Sequence, residues 1–216
     1  MIKVPLKYFL VSPYHSVLRY QESLFEKAIA DKEAGRAVQP TLIICQHHPV
    51  YTLGKSGKRQ NLLLNPETVG ADYAEINRGG DITFHGPGQM VVYPIWDIDI
   101  LKIGVAQYVF NFEEAVIKTL AHFNIEAARS EGAPGVWVGN GKIAAVGIKV
   151  SRHITMHGMA LNVNTDLSYF SHIVPCGLSD KGVTSMAQIL GGNLNMIDVV
   201  NVFKKEFENI FNVVVV

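Results

Sequence analysis

Cys176 stands in "VPCGL", between Pro175 and Gly177, a setting too irregular for the interior of a strand. A thiol with the reference pKa of about 8.5 is mostly protonated at neutral pH, and it becomes a nucleophile where a cation, a helix N-terminus or a base lowers that value. Lys142, Lys149, His85, His157 and His172 are the residues that could do so here. The competing reading of a lone cysteine is an inert small apolar residue, which suits Cys45 inside "LIICQ" and suits Cys176, in a turn beside free backbone amides, less well.

The densest unusual stretch is "RGGDITFHGPGQ", residues 78 to 89, with Gly79, Gly80, Gly86 and Gly88 alongside Arg78, His85 and Pro87. So much glycine costs backbone entropy and is retained where the chain takes positive φ or must approach a ligand closely. A ligand-binding loop and a pair of tight turns between strands both satisfy this composition. A dinucleotide fingerprint does not fit, because Gly86-Pro87-Gly88 leads into the strand-like "MVVY" and not into a helix. "GKS" at 54 to 56 fails as a phosphate loop, since Pro49 stands where its first glycine belongs. His153 and His157 would share a strand face but lie about 13 Å apart, too far for one zinc ion. Satisfied or surface histidines are the expected outcome, and no metal site is expected.

These residues need a scaffold, and the hydrophobic pattern supplies one. Val17, Gln21, Leu24, Phe25, Ala28 and Ile29 recur at helical spacing after Ser16, with Gly35 as the stop. Val105, Tyr108, Val109, Phe112, Ala115, Val116, Thr119, Leu120 and Phe123 form a second helical face, and Val199, Val200, Phe203, Phe207, Ile210 and Phe211 a third, capped by Asn195 or Asp198. "PTLIICQ" and "MVVYPIWDI" read as strands, the latter broken or at an edge at Pro94, which cannot donate to a ladder. Residues 135 to 150 read as a hairpin turning at Gly139-Asn140-Gly141, with Lys142 opening its second strand and "HITMHGMALNV" adding a third. Helices and strands mix without βαβ alternation, so the expected class is α/β in the α+β layered sense, with a mixed, largely antiparallel sheet.

With 216 residues and 48% hydrophobic content, one globular domain spanning 1 to 216 is expected. Nineteen basic and nineteen acidic side chains cancel, which argues against nucleic acid or an anionic membrane as a partner. No long apolar run or secretory leader is visible, and two cysteines make a poor disulfide framework, so a reducing cytoplasm is the expected compartment.

The motifs "HHPVYTLGKSG", "RGGDITFHGPGQMVVYPI", "GKIAAVGIKV", "HGMALNV" and "VPCGL", in that order, resemble those of the octanoyltransferases of lipoate biosynthesis. The resemblance implies the fold of the lipoate-protein ligase and biotin-protein ligase catalytic core. It implies transfer of an octanoyl (or lipoyl) group from acyl carrier protein to a specific lysine of lipoyl domains through a cysteine acyl-thioester, with octanoyl-acyl carrier protein as the donor. The acceptors it implies are the 2-oxoacid dehydrogenase complexes and the glycine cleavage H protein, with no ATP and no bound cofactor. By matching position, Cys176 is implied as the acyl-thioester nucleophile and Lys142 as its partner. Arg78, Gly79, Gly80, Asp81, Ile82, Thr83, Phe84 and His85, with Ala145, Val146, Gly147, Gly158, Met159 and Ala160, are implied to form the acyl-binding tunnel and its mouth. His47-His48-Pro49-Val50 departs from the family's usual H-P-P-V. Two other readings compete: an ATP-dependent lipoate-protein ligase on the same fold, and a non-catalytic acyl-binding module that merely tolerates Cys176.

Overall fold

The computed structural model describes residues 1–174 and 182–216; Cys176, with Pro175 and Gly177, lies outside the described residues. In chain order, β1 (Ile2–Val4) and β2 (Leu6–Ser12) lead into α1 (Tyr14–Glu33). Then β3 (Thr41–His47), β4 (Val50–Leu53), β5 (Asp72–Glu75), β6 (Ile82–His85) and β7 (Gln89–Ile95) precede α2 (Val105–His122). β8 (Ala128–Ser130), β9 (Ala133–Val138), β10 (Gly141–Ser151), β11 (Ile154–Asn162) and β12 (Gly182–Val183) are followed by α3 (Met186–Leu190), α4 (Met196–Phe211) and β13 (Val213–Val215).

The principal sheet has the order β2-β3-β7-β11-β10-β9-β8, with β12 pairing β10. It is antiparallel except where β2 joins β3 and β12 joins β10. This mixed sheet packed with helices is the α/β class expected from the sequence. A small sheet, β5-β4-β6, stands beside it, and β1 pairs β13 in parallel.

Each face of the principal sheet is covered by helices whose periodicity demanded a core. On one side Tyr108, Phe112, Val116 and Leu120 of α2 meet Phe203, Phe207 and Phe211 of α4 around the fully buried Trp96. On the other, Val17, Phe25 and Ala28 of α1 pack on Ile43, Val91, Tyr93, Met156 and Ala160. Each large apolar side chain so buried contributes about 1.5–3 kcal/mol.

Three local expectations need correction. α1 begins at Tyr14, two residues before Ser16, because Pro13 fixes φ at −58° and its carbonyl receives the amides of Ser16 and Val17. Pro94 neither breaks nor edges its strand: β7 is central, with Leu42 of β3 opposite Pro94 and the Pro94 carbonyl accepting from Thr155 Oγ1 at 2.9 Å. The missing N–H is tolerated because the β7–β11 ladder ends at Val92 opposite Met159, so on the side where the Pro94 carbonyl meets Thr155 there is no ladder bond to lose. The β9–β10 hairpin turns on Gly139-Asn140 alone, while Gly141 already pairs with Val138.

Candidate active site

The floor of the candidate site is the β10–β11 ladder, where small residues face one another: Ala145 opposite Ala160 and Gly147 opposite Gly158. Glycine is obligatory at 158, since a Cβ there would stand 2.0 Å from the Val92 carbonyl oxygen of the neighbouring strand. Over this floor passes the glycine-rich segment. Gly79 donates its amide to the Ile148 carbonyl at 3.0 Å, and Gly80 takes a φ of +85°. The 54–57 loop braces it from outside through Lys55 N–H to Arg78 O at 3.0 Å and Ser56 N–H to Gly80 O at 3.1 Å. The "GKS" amides therefore serve a neighbouring loop.

Between floor and loop lies a cavity of about 410 Å³, within the range usual for small-molecule sites. Arg78, Gly79, Gly80, Asp81, Ile82, Thr83 and His85 line it from above, and Ala145, Val146, Gly147, Gly158, Met159 and Ala160 from below. Lys142 and Val183 lie at its border with Ala133 and Pro134 of β9. Phe84 is not among the lining residues; it stacks on Tyr169 at 4.4 Å within the core of the small sheet. The lining also includes residues that sequence reasoning passed over for this site: Tyr14, Gln89, Val91, Tyr93, Asn162 and, despite its mention as a possible cation, His157. Gln89 closes the quoted "HGPGQ" motif and so carried a signal; Tyr14, read as preceding the helix, carried none.

The polar side chains around the cavity are mostly saturated. Arg78 is buried and donates through Nη2 to the Thr52 carbonyl and hydroxyl at 2.8 and 3.0 Å. His85 Nδ1 lies 2.7 Å from Gln89 Oε1, and Gln89 Nε2 donates to Asn162 Oδ1 at 2.9 Å. Asn162 Nδ2 donates to the Thr184 carbonyl, and the Thr184 amide to the Lys142 carbonyl, each at 3.0 Å. A continuous polar path thus runs from the middle of the glycine-rich motif to the backbone of Lys142. The Lys142 ammonium sits 4.8 Å from the Trp137 ring centroid, a cation–π distance. Asp81 receives the Ile82 amide at 2.6 Å and Asn61 Nδ2 at 2.7 Å, which fixes the loop's exit. Lys55, Lys58 and Arg59 are exposed outside it.

Burial dominates the titration of the histidines. It lowers His47 to about 4, and His85 and His157 to about 3, each from 6.5. Each folded value lies below the unfolded one, so the unfolded chain binds more protons between about pH 4 and 6.5, and stability rises with pH across that window. The stabilisation is complete above pH 6.5 and is lost as pH falls. At pH 5 each histidine costs roughly 2 kcal/mol relative to neutral pH. The urea midpoint is expected to drop sharply from pH 7.5 to pH 5.0; equal midpoints would show that these rings are not buried neutral. Burial likewise pushes the Cys45 thiol up, which leaves it a core residue and not a nucleophile.

Among the described residues no group of three His, Cys, Asp or Glu side chains is placed to hold a metal ion, and no helix is long and apolar enough to cross a membrane.

Comparison with known proteins agrees with this architecture. Residues 13–208 match the family described as the lipoyl protein ligase A/B catalytic domain. A protein of Parabacteroides distasonis named octanoyltransferase is 49% identical over 187 residues, covering 82% of this chain and 85% of its own length. A lipoate-protein ligase A solved with ATP superposes with a TM-score of 0.83 at 15% identity, over 100% of this chain and 88% of that one. A biotin protein ligase from Aquifex aeolicus, solved with biotin and ATP, gives 0.57 at 14% identity, over 98% and 70%. The ligases share the fold, whereas the close relatives carry the transferase name, and the chain belongs to the lipoyl protein ligase A/B catalytic family and, within it, to the octanoyltransferases, which are acyltransferases of protein lipoylation.

Proposed function

We propose that the chain acts as a single catalytic domain that takes an octanoyl group from acyl carrier protein onto Cys176 and passes it to the ε-amine of a lysine on a lipoyl domain. In the first step the Cys176 thiolate attacks the carrier's thioester carbonyl; a new C–S bond forms, the carrier's C–S bond breaks, and the departing carrier sulfur takes a proton from the Lys142 ammonium and leaves as its thiol, with Lys142 now a neutral amine. In the second step the acceptor amine attacks, an amide forms, and Cys176 departs as thiolate. The amine's proton passes to a base, the role for which Lys142 is the candidate. Thioester exchange is nearly isoenergetic and the amide makes the sequence downhill, so neither step calls for ATP.

One observation carries this reading: Lys142 borders an apolar cavity and pairs in register with Val183, which follows the segment holding Cys176 after only a few residues. An ammonium in that position favours thiolate over thiol. The cavity offers the octanoyl chain about 0.8 kcal/mol per buried methylene. His85, Gly79 and Gly80 line that cavity, which supports an acyl-holding role for them, and exposed Lys55, Lys58 and Arg59 suit an acidic carrier.

The test is intact-protein mass spectrometry of the wild type after incubation with octanoyl-acyl carrier protein and no ATP. An octanoyl adduct is expected, mapping to the Cys176 peptide and cleared by an added lipoyl domain. Transfer that proceeds with no adduct on any time scale would indicate direct attack by the acceptor lysine, and dependence on ATP would indicate ligase chemistry instead.

A further inference from the structure

The corner of the cavity diagonally opposite Lys142 is polar in an unusual way. Tyr14 lies there, its ring 5.1 Å from that of His47 on β3, and β7 and β11 stand between β3 and β10, which carries Lys142. Three interstrand spacings make that separation about 14 Å. His157 faces Ile148, six residues along β10 from Lys142, or about 20 Å at the rise of an extended strand. Both side chains are buried, at 1% and 3% exposure, and both line the cavity.

Neither the Tyr14 hydroxyl nor the His157 ring has a hydrogen-bond partner among the described residues. Their neighbours do: His47 with Tyr93, His85 with Gln89, Arg78 with Thr52. Gln21, whose Oε1 accepts the His157 amide at 3.2 Å, leaves its own buried Nε2 unpaired behind them. His157 also holds a φ of +60° within a strand, a conformation that a non-glycine residue adopts only when its surroundings impose it. Burial keeps the imidazole neutral at pH 7, with one donor and one acceptor nitrogen on a ring that lines the cavity.

We propose that the Tyr14 hydroxyl and the His157 ring set the upper length of the acyl chain this site accepts, by retaining water that a longer chain would have to displace. The inference rests on the acyl-transfer reading of the cavity. An apolar chain gains by burying each methylene only while it covers apolar wall. Once its end reaches two unpaired polar groups it strips their water and returns no hydrogen bond, and that loss exceeds the gain from one or two methylenes. The apolar floor attracts the chain and the polar corner stops it.

The experiment compares kcat/KM for octanoyl-, decanoyl- and dodecanoyl-acyl carrier protein, with a lipoyl domain as acceptor, in the wild type, Tyr14→Phe and His157→Leu. Tyr14→Phe removes one oxygen and keeps the ring stacked at 6.1 Å on His85, so it guards against a folding failure of His157→Leu in its left-handed backbone. The octanoyl-to-dodecanoyl preference is expected to fall about tenfold in Tyr14→Phe and at least as much in His157→Leu. A Tyr14→Phe protein with wild-type melting temperature and an unchanged preference would overturn the inference, as would an equal loss on all three chains. Absence of octanoyl transfer by the wild type would instead overturn the reading beneath it.

Discussion

Replacing Cys176 with serine is expected to lower octanoyl transfer by about a thousandfold or more. A serine hydroxyl is not ionised at neutral pH, and an ammonium that stabilises a thiolate does not bring an alkoxide within reach. The oxyester it could form would also be a poorer acyl donor to an amine than a thioester. Transfer of octanoyl from acyl carrier protein to a lipoyl domain is the measurement, with the melting temperature as the control for folding. A Cys176→Ser protein that melts like the wild type and keeps even a tenth of its rate would remove the covalent intermediate from the mechanism.

Lys142 carries the second large effect, and two substitutions divide its roles. Lys142→Ala is expected to reduce kcat by roughly 10²- to 10⁴-fold, the scale of a lost proton-transfer group. Lys142→Arg keeps the positive charge and can still lie on the Trp137 ring, but a guanidinium does not give up its proton in proteins. It is therefore expected to lose at least about a hundredfold in kcat for amide formation. Single-turnover kinetics separates the steps. If Lys142→Arg acylates and deacylates at wild-type rates, the lysine is not a proton carrier.

The parts of the molecule legible in the sequence are those with a strong internal period. The faces of α1, α2 and α4, the β9–β10 hairpin and β11 all carry runs long enough for burial to impose a pattern. The small sheet was not legible, because β4, β5 and β6 span four residues each and Asp72-Tyr73-Ala74-Glu75 has no strand-like alternation of its own. Its ladder is imposed by β4, whose four residues are all buried. In the site, glycine-rich composition marked the loop because backbone geometry constrains residue type. Phe84 shared that motif yet packs into the core of the small sheet, stacked on Tyr169. Tyr14 left no trace, since a tyrosine opening a helix looks ordinary until the backbone places it, and His157 was legible only as a possible cation or a satisfied histidine, since a histidine in an apolar strand gives no sign of which cavity it lines. Cys176 was legible by residue type and lies outside the described residues.

The cavity floor has an implication for protein engineering. Ala145, Gly147, Gly158 and Ala160 present almost nothing beyond backbone, so no truncation can carve the floor deeper. Enlarging either glycine intrudes on a neighbouring main chain: a Cβ would stand 2.0 Å from the Val92 carbonyl oxygen at Gly158 and 3.0 Å from the Gly79 carbonyl oxygen at Gly147. Variation in what the pocket admits is therefore channelled to its walls, and a library aimed at new acyl donors would keep the floor constant and diversify the residues above and beside it.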